Sequence, residues 1–205
     1  YELIVIDGNS TDGTIRRLQN YKKAIKVLIT ENDKGIYYAM NKGLKYVSGD
    51  VVCFLNSDDF YGSNNVFSDV ANMFEEKKCD IVYGDIVYVT KHKPHKVIRY
   101  WTNLLVSKKS FFIGHHPPHP AFFAKKKLYD NFGDFNAEII AADFDLMIRF
   151  FNNSEYNCYL KKICVVMRLG GVSNKSLKHI ISQNYQLIKT IKDYNKRYSI
   201  LLFLL

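Results

Sequence analysis

The chain has no run of 18 or more apolar residues, so it offers no candidate membrane-spanning helix, and no secretory leader pattern precedes its first apolar segment. It shows no internal repeat, low-complexity tract or linker-like stretch. No C-x-x-C pair occurs among its four cysteines, Cys53, Cys79, Cys158 and Cys164. Cys53 stands inside an apolar run, and the four are expected to be reduced, mostly buried thiols of a cytosolic protein. Acidic residues are the scarce charge: 20 Asp and Glu face 29 Lys and Arg, a net +9. Such a surface attracts anions, whether nucleotide diphosphates, anionic lipid or nucleic acid. The lysine pairs are scattered rather than gathered in one arm, which makes most of them solvated faces.

What is present has the make-up of one globular domain: 205 residues, 47% hydrophobic and 24% charged. Residues 3–6 (Leu-Ile-Val-Ile) read as a buried strand that stops at the turn cluster Asp7-Gly8-Asn9-Ser10. Ser10 or Thr11 is placed to cap a helix carrying Ile15 and Leu18. Residues 27–29 form a second short strand, followed by polar Glu31-Asn32-Asp33-Lys34-Gly35 and a helical pattern from Ile36 through Ala39, Met40, Gly43, Leu44 and Val47. Residues 51–55 are continuously apolar, as expected of a strand buried on both faces, and stop at Asn56-Ser57-Asp58-Asp59. Three strand-then-helix units argue for an α/β fold with a mostly parallel, Rossmann-like sheet flanked by helices. In such sheets ligands lie beyond the carboxyl ends of the strands, where the clusters at Asp7, Asp33 and Asp58 fall.

The later part is less regular. Residues 81–90 read as one strand or a bent pair, residues 91–96 as a basic turn, and Gly114-His115-His116-Pro117-Pro118-His119-Pro120 as a shaped loop too rich in proline for a helix. Residues 121–124 resume a strand, Asp143 opens a helix through Leu146, Met147 and Phe150, and residues 165–167 form another strand. Leu177, Ile181, Ile188 and Ile191 mark a long amphipathic helix.

Asp58 and Asp59 at the mouth of a strand repel each other unless a cation or a donor network compensates, and a hard divalent ion bridging to phosphate would do so. A capped turn is the plainer alternative. Asp143 and Asp145 open a helix, where carboxylates favour the amide dipoles. Asp143 follows apolar Ile139-Ile140-Ala141-Ala142, surroundings that suit a general base, while Arg149 is spaced to pair with Asp145. His115, His116 and His119 lack a cysteine partner at zinc spacing, so they read as a shaped pocket wall with one histidine reaching substrate or metal.

Residues 1–173 resemble a bacterial glycosyltransferase of family 2 with the GT-A fold. Residues 2–14 resemble its nucleoside-holding strand and loop, with Asp7 at the base-contacting position, and residues 31–43 resemble its next donor-binding loop and helix. Phe54-Leu55-Asn56-Ser57-Asp58-Asp59 resembles the D-x-D element, with Asn56 in place of the first Asp. His119-Pro120-Ala121-Phe122-Phe123 resembles the acceptor segment, residues 142–149 the catalytic-base motif, and Gly170-Gly171-Val172-Ser173 the closing loop. The family's first strand–helix unit has no counterpart here.

The resemblance implies a single catalytic domain over 1–205, with a nucleotide-sugar half (1–110), an acceptor half (111–175) and a C-terminal helix (176–205). It implies Asp143 as catalytic base, and Asp7, Gly8, Asp33, Lys34, Gly35, Asn56, Ser57 and Asp58 as nucleotide-sugar contacts. It further implies Asp58 as ligand to Mg²⁺ or Mn²⁺, and His119 and Asp145 on the acceptor side. The expected activity is inverting transfer from a nucleotide-diphosphate sugar to a hydroxyl of a saccharide or lipid-linked saccharide. The setting is surface-polysaccharide synthesis in the cytoplasm, with peripheral contact at the inner face of the membrane and no nucleic-acid partner. The alternatives are a non-catalytic nucleotide-sugar-binding remnant and a sugar nucleotidyltransferase.

Overall fold

The computed structural model describes residues 1–90, 96–104, 106–169 and 177–194. The basic turn expected at 91–96 falls outside them apart from Lys96, as do the closing loop Gly170-Gly171-Val172-Ser173 and the apolar carboxyl end.

The first expected units form close to their predicted places. Strand β1 (Leu3–Asp7) leads to helix α1 (Thr14–Gln19), and β2 (Ile25–Thr30) leads to α2 (Ile36–Leu44). Strands β1 and β2 pair in parallel, from Leu3↔Ile25 to Asp7↔Thr30. Helix α1 starts later than the sequence implied. Asp12, rather than Ser10 or Thr11, marks the turn: its Oδ1 accepts hydrogen bonds from the Thr14 amide (3.1 Å) and hydroxyl (2.6 Å).

The apolar run at 51–55 does not make a long buried strand. Only β3 (Val51–Val52) is extended in a ladder, and Leu55 is 41% exposed. Phe54 leaves the sheet because its ring is drawn into an aromatic cluster described below. Then follow β4 (Phe60–Tyr61), α3 (Val66–Lys77), β5 (Ile81–Val89), β6 (Val97–Trp101), β7 (Phe122–Lys125), α4 (Lys126–Phe132), α5 (Ala142–Asn153), β8 (Asn157–Arg168) and α6 (Leu177–Tyr194).

These strands build a six-stranded sheet in the order β3-β7-β5-β8-β4, with β6 paired to the far part of β5. Only β5 and β8 run parallel in it. The β3–β7, β7–β5, β5–β6 and β8–β4 pairs are antiparallel. The α/β architecture is as expected, but the sheet is mixed rather than mostly parallel.

Side chains alternate across β5 and β7, so both faces of the sheet are buried. Ile81, Tyr83, Phe122 and Ala124 face a core with Phe144, Leu146, Met147, Ile148, Phe150 and Phe151 of α5. Val82, Ile86 and Phe123 face the stripe Val66, Val70 and Phe74 of α3, which recurs every four residues. Cys79 and Cys158 form a disulfide with Cα atoms 6.1 Å apart, within bridging range, which overturns the expectation of four reduced thiols. Cys53 and Cys164 remain free. Among the described residues no helix is long and apolar enough to cross a membrane.

Candidate active site

Asp7 ends β1 and is buried, with Oδ2 accepting the Ser10 amide at 2.9 Å. Its carbonyl accepts the Glu31 amide at 3.1 Å, which brings the loop after β2 alongside. Asn9 and Asn32 bond across the two loops at 3.2 Å. Gly8 is where they meet most closely: a Cβ there would lie 2.9 Å from Asp33 Oδ2, so any larger residue would displace that carboxylate. Asp33 Oδ1 accepts the Gly35 amide at 2.9 Å, and Lys34 lies exposed with its ammonium 6.0 Å from the Tyr38 ring. Asp7, Gly8, Asp33, Lys34 and Gly35 therefore form one group.

The second group follows β3. Asn56 Nδ2 donates to Asp59 Oδ2 at 3.1 Å, and the Arg168 amide donates to Asp59 Oδ1 at 3.4 Å. Burial pushes the Asp59 carboxyl up to about 6, with the charge of Asp58 adding and the bond from Asn56 opposing. Ser57 and Asp58 are exposed. Arg168 donates to the Asp58 carbonyl at 3.2 Å, while among the described residues nothing donates to the Asp58 carboxylate. No cluster of three or more His, Cys, Asp or Glu side chains is assembled there or elsewhere among the described residues. One free carboxylate that relies on substrate phosphates and water for its remaining ligands is a donor set that Mg²⁺ accepts, so Asp58 fits the expected ion.

The third group surrounds Asp143 at the start of α5. Its Oδ1 accepts the Phe144 amide at 2.9 Å and the Tyr37 hydroxyl at 3.0 Å, while among the described residues no donor reaches Oδ2. Asp145 pairs with Arg149 at 3.1 Å, as the spacing implied. The same guanidinium also donates to the carbonyls of Phe132, Gly133 and Asp134, so Asp145 anchors the α4–α5 connection. His119 is buried and among the described residues its Nε2 has no hydrogen-bond partner. Burial holds it below the usual histidine value against the opposing pull of Asp143. In this arrangement the His119 ring is part of the buried wall beside Phe54 and Phe135.

Phe135, 3% exposed, joins the groups. Its ring stacks on Tyr37 at 5.5 Å and meets Phe54 and His119 edge-on at 5.3 Å. Its backbone is held by Asn41, whose Oδ1 accepts the amide (3.0 Å) and whose Nδ2 donates to the carbonyl (2.8 Å). Tyr37, Asn41, Glu138 and Arg168 were not singled out from sequence. Tyr37 and Asn41 stand four apart on one face of α2, and that spacing is the signal that could have found them.

An α/β sheet with a donor-type loop pair, an exposed Asp after β3 and a carboxylate opening a buried helix defines a GT-A-type transferase fold. The chain belongs to glycosyl transferase family 2, whose sequence profile matches residues 1–147. It is 26% identical over 181 residues to a PGL/p-HBAD biosynthesis glycosyltransferase of Mycobacterium tuberculosis, covering 85% of this chain and 68% of that protein. Over 86 residues it is 34% identical to Escherichia coli WfgD, a UDP-Glc:alpha-D-GlcNAc-diphosphoundecaprenol beta-1,3-glucosyltransferase, covering 42% of this chain and 34% of WfgD. Its fold matches Staphylococcus aureus TarS 1-349 in complex with UDP-GlcNAc, with a TM-score of 0.72 at 18% identity over 94% of this chain. The chain spans 58% of that structure's length.

Proposed function

We propose that the protein is an inverting glycosyltransferase in which Asp143 is the base. The observation that carries this reading is the asymmetric holding of the Asp143 carboxylate: Oδ1 is occupied by two donors and Oδ2 by none among the described residues. A carboxylate fixed through one oxygen and open at the other is arranged to accept a proton. The acceptor hydroxyl gives its proton to Oδ2 as its oxygen bonds to the anomeric carbon. The bond from that carbon to the diphosphate oxygen breaks, and the nucleoside diphosphate leaves with the electron pair.

Asp7, Gly8, Asp33, Lys34 and Gly35 receive the nucleotide side of the donor, and Asn56 and Ser57 its ribose. Asp58 holds Mg²⁺ or Mn²⁺, which when bound neutralises charge on the diphosphate. The acceptor class is a saccharide or lipid-linked saccharide, the latter in line with the diphosphoundecaprenol acceptor in the name of WfgD. The net charge of +9 suits peripheral contact with an anionic membrane face.

Calorimetry and thermal shift with UDP-, GDP- and dTDP-sugars, with and without Mn²⁺, test this. Metal-dependent binding of one nucleotide class should weaken in Asp58→Asn and persist in Asp143→Asn, which should nonetheless lose transfer. Equal loss of donor binding in both variants would sink the division of roles.

A further inference from the structure

We propose that Tyr37 is a positioning residue for the base: its hydroxyl fixes the Asp143 carboxylate through Oδ1, leaving Oδ2 to take the acceptor proton. This rests on the reading of Asp143 as base. The second torsion of an aspartate is broad and two-fold, so a carboxylate with one partner swings between equivalent orientations. Here the Tyr37 hydroxyl at 3.0 Å and the Phe144 amide at 2.9 Å converge on one oxygen from two different helices. That convergence selects one orientation and distinguishes the two oxygens.

The tyrosine is itself held by contacts that do not involve its hydroxyl. Its ring stacks on Phe135 at 5.5 Å with the planes 24° apart. One turn along α2, Asn41 grips the Phe135 backbone through both its amide and its carbonyl. The next residue, Tyr38, donates to Glu138 Oε1. Helix α2 is thus fastened to residues 135–138 at three points. Burial, and then the charge of Asp143, push the Tyr37 phenol well above its ordinary value, so it stays a neutral donor at neutral pH.

Tyr37 is the second residue of α2, and the loop carrying Asp33, Lys34 and Gly35 runs directly into that helix.

Tyr37→Phe separates this role from packing, because it keeps the ring and the stack on Phe135. In a crystal structure of the variant, the Asp143 carboxylate should rotate or occupy two orientations. With the UDP-, GDP- or dTDP-sugar that the wild type turns over, kcat should fall about tenfold. The Kd of that sugar's nucleoside diphosphate should stay within about twofold and Tm within about 2 °C, the marks of lost orientation rather than lost binding or folding. An unchanged carboxylate in the crystal, or kcat within about twofold of wild type, would overturn the proposal. Retained turnover in Asp143→Asn would instead remove the base assignment. The crystal comparison then decides by itself whether Tyr37 holds the carboxylate.

Discussion

Arg149 offers the most direct test of how the segment leading into α5 and Asp143 is held. Its guanidinium donates to the carbonyls of Phe132, Gly133 (2.7 Å) and Asp134 (2.8 Å) and to Asp145 Oδ2 (3.1 Å), fastening the end of α4 to the first turns of α5. The side chains of Arg149 and Asp145 are 18% and 19% exposed, so this pair is partly shielded from solvent screening. Arg149→Met keeps most of the aliphatic stem and removes every donor. Bonds from a charged donor to the two part-buried acceptors contribute about 1–1.5 kcal/mol each, and those to the two exposed carbonyls roughly 0.3–0.5 each because water replaces them. The expected loss is about 3 kcal/mol, a Tm lower by roughly 6–12 °C for a chain of this size. Urea unfolding followed by circular dichroism and by the fluorescence of Trp101 measures it. Arg149→Lys keeps the charge opposite Asp145, but one ammonium cannot span three carbonyls, so it should recover only about a third of the loss. A loss under about 1 kcal/mol in Arg149→Met, or full recovery in Arg149→Lys, would refute the claim that the fork holds this connection.

Three other outcomes follow from the fold. In Gly62→Ala the new Cβ would fall on the Ile163 carbonyl oxygen of β8, so the β4–β8 ladder must open. The variant should lose about 2–3 kcal/mol in urea unfolding and bind nucleotide sugar more weakly, because β4 anchors the loop bearing Asp58. Glu2 accepts bonds from Lys26, from the Ser48 amide (2.7 Å) and hydroxyl (2.8 Å) and from the Gly49 amide (3.0 Å), and these hold its carboxyl down at about 2. Its unfolded-state value is higher, so the unfolded chain binds more protons and stability falls as pH drops from about 4.5 towards 2. Glu2→Gln should flatten that part of the stability–pH curve, and an unchanged slope would count against these bonds. The Cys79–Cys158 bridge closes a loop of 79 residues. Thiol titration in denaturant should find two free thiols before reduction and four after, and reduction should cost about 4.5 kcal/mol on the chain-entropy account. Four thiols before reduction would exclude the bridge.

The strand, loop and helix units of the first 44 residues were legible because each is local: a β-branched run, a polar turn, then a period near 3.6. The positions of Asp58 after β3 and of Asp143 at the start of α5 were legible for the same reason, since each closes or opens an apolar run. The features that escaped are pairings between distant residues. The antiparallel partners of β7 and β8 lie about forty to a hundred residues away, and strand direction leaves no mark on hydrophobic periodicity. The run at 51–55 reads as a buried strand on composition, yet Phe54 is claimed by His119 and Phe135 from another part of the chain. The same holds for the disulfide and for Tyr37, whose partner Asp143 lies 106 residues further on.

The site draws its groups from two structural blocks. Asp7 and Asp33 hang from the β1–β2 pair, whereas Asp58 and Asp143 hang from the six-stranded sheet, and among the described residues no strand ladder joins the two sheets. Helix α2 supplies the missing connection. Its Gly43 packs against Ile6 of β1, where an added Cβ would sit 3.4 Å from the side chain. Tyr37 near its start holds Asp143, and Asn41 one turn later holds the Phe135 backbone. The distance between the Asp33 loop and Asp143 is therefore set by side-chain contacts rather than by sheet hydrogen bonds. Such contacts rearrange at lower cost than a ladder, because one hydroxyl bond contributes about 1 kcal/mol whereas a ladder must break several bonds together. One tyrosine, one asparagine and a shared phenylalanine ring thus join the two blocks without drawing on the hydrogen bonds of either sheet.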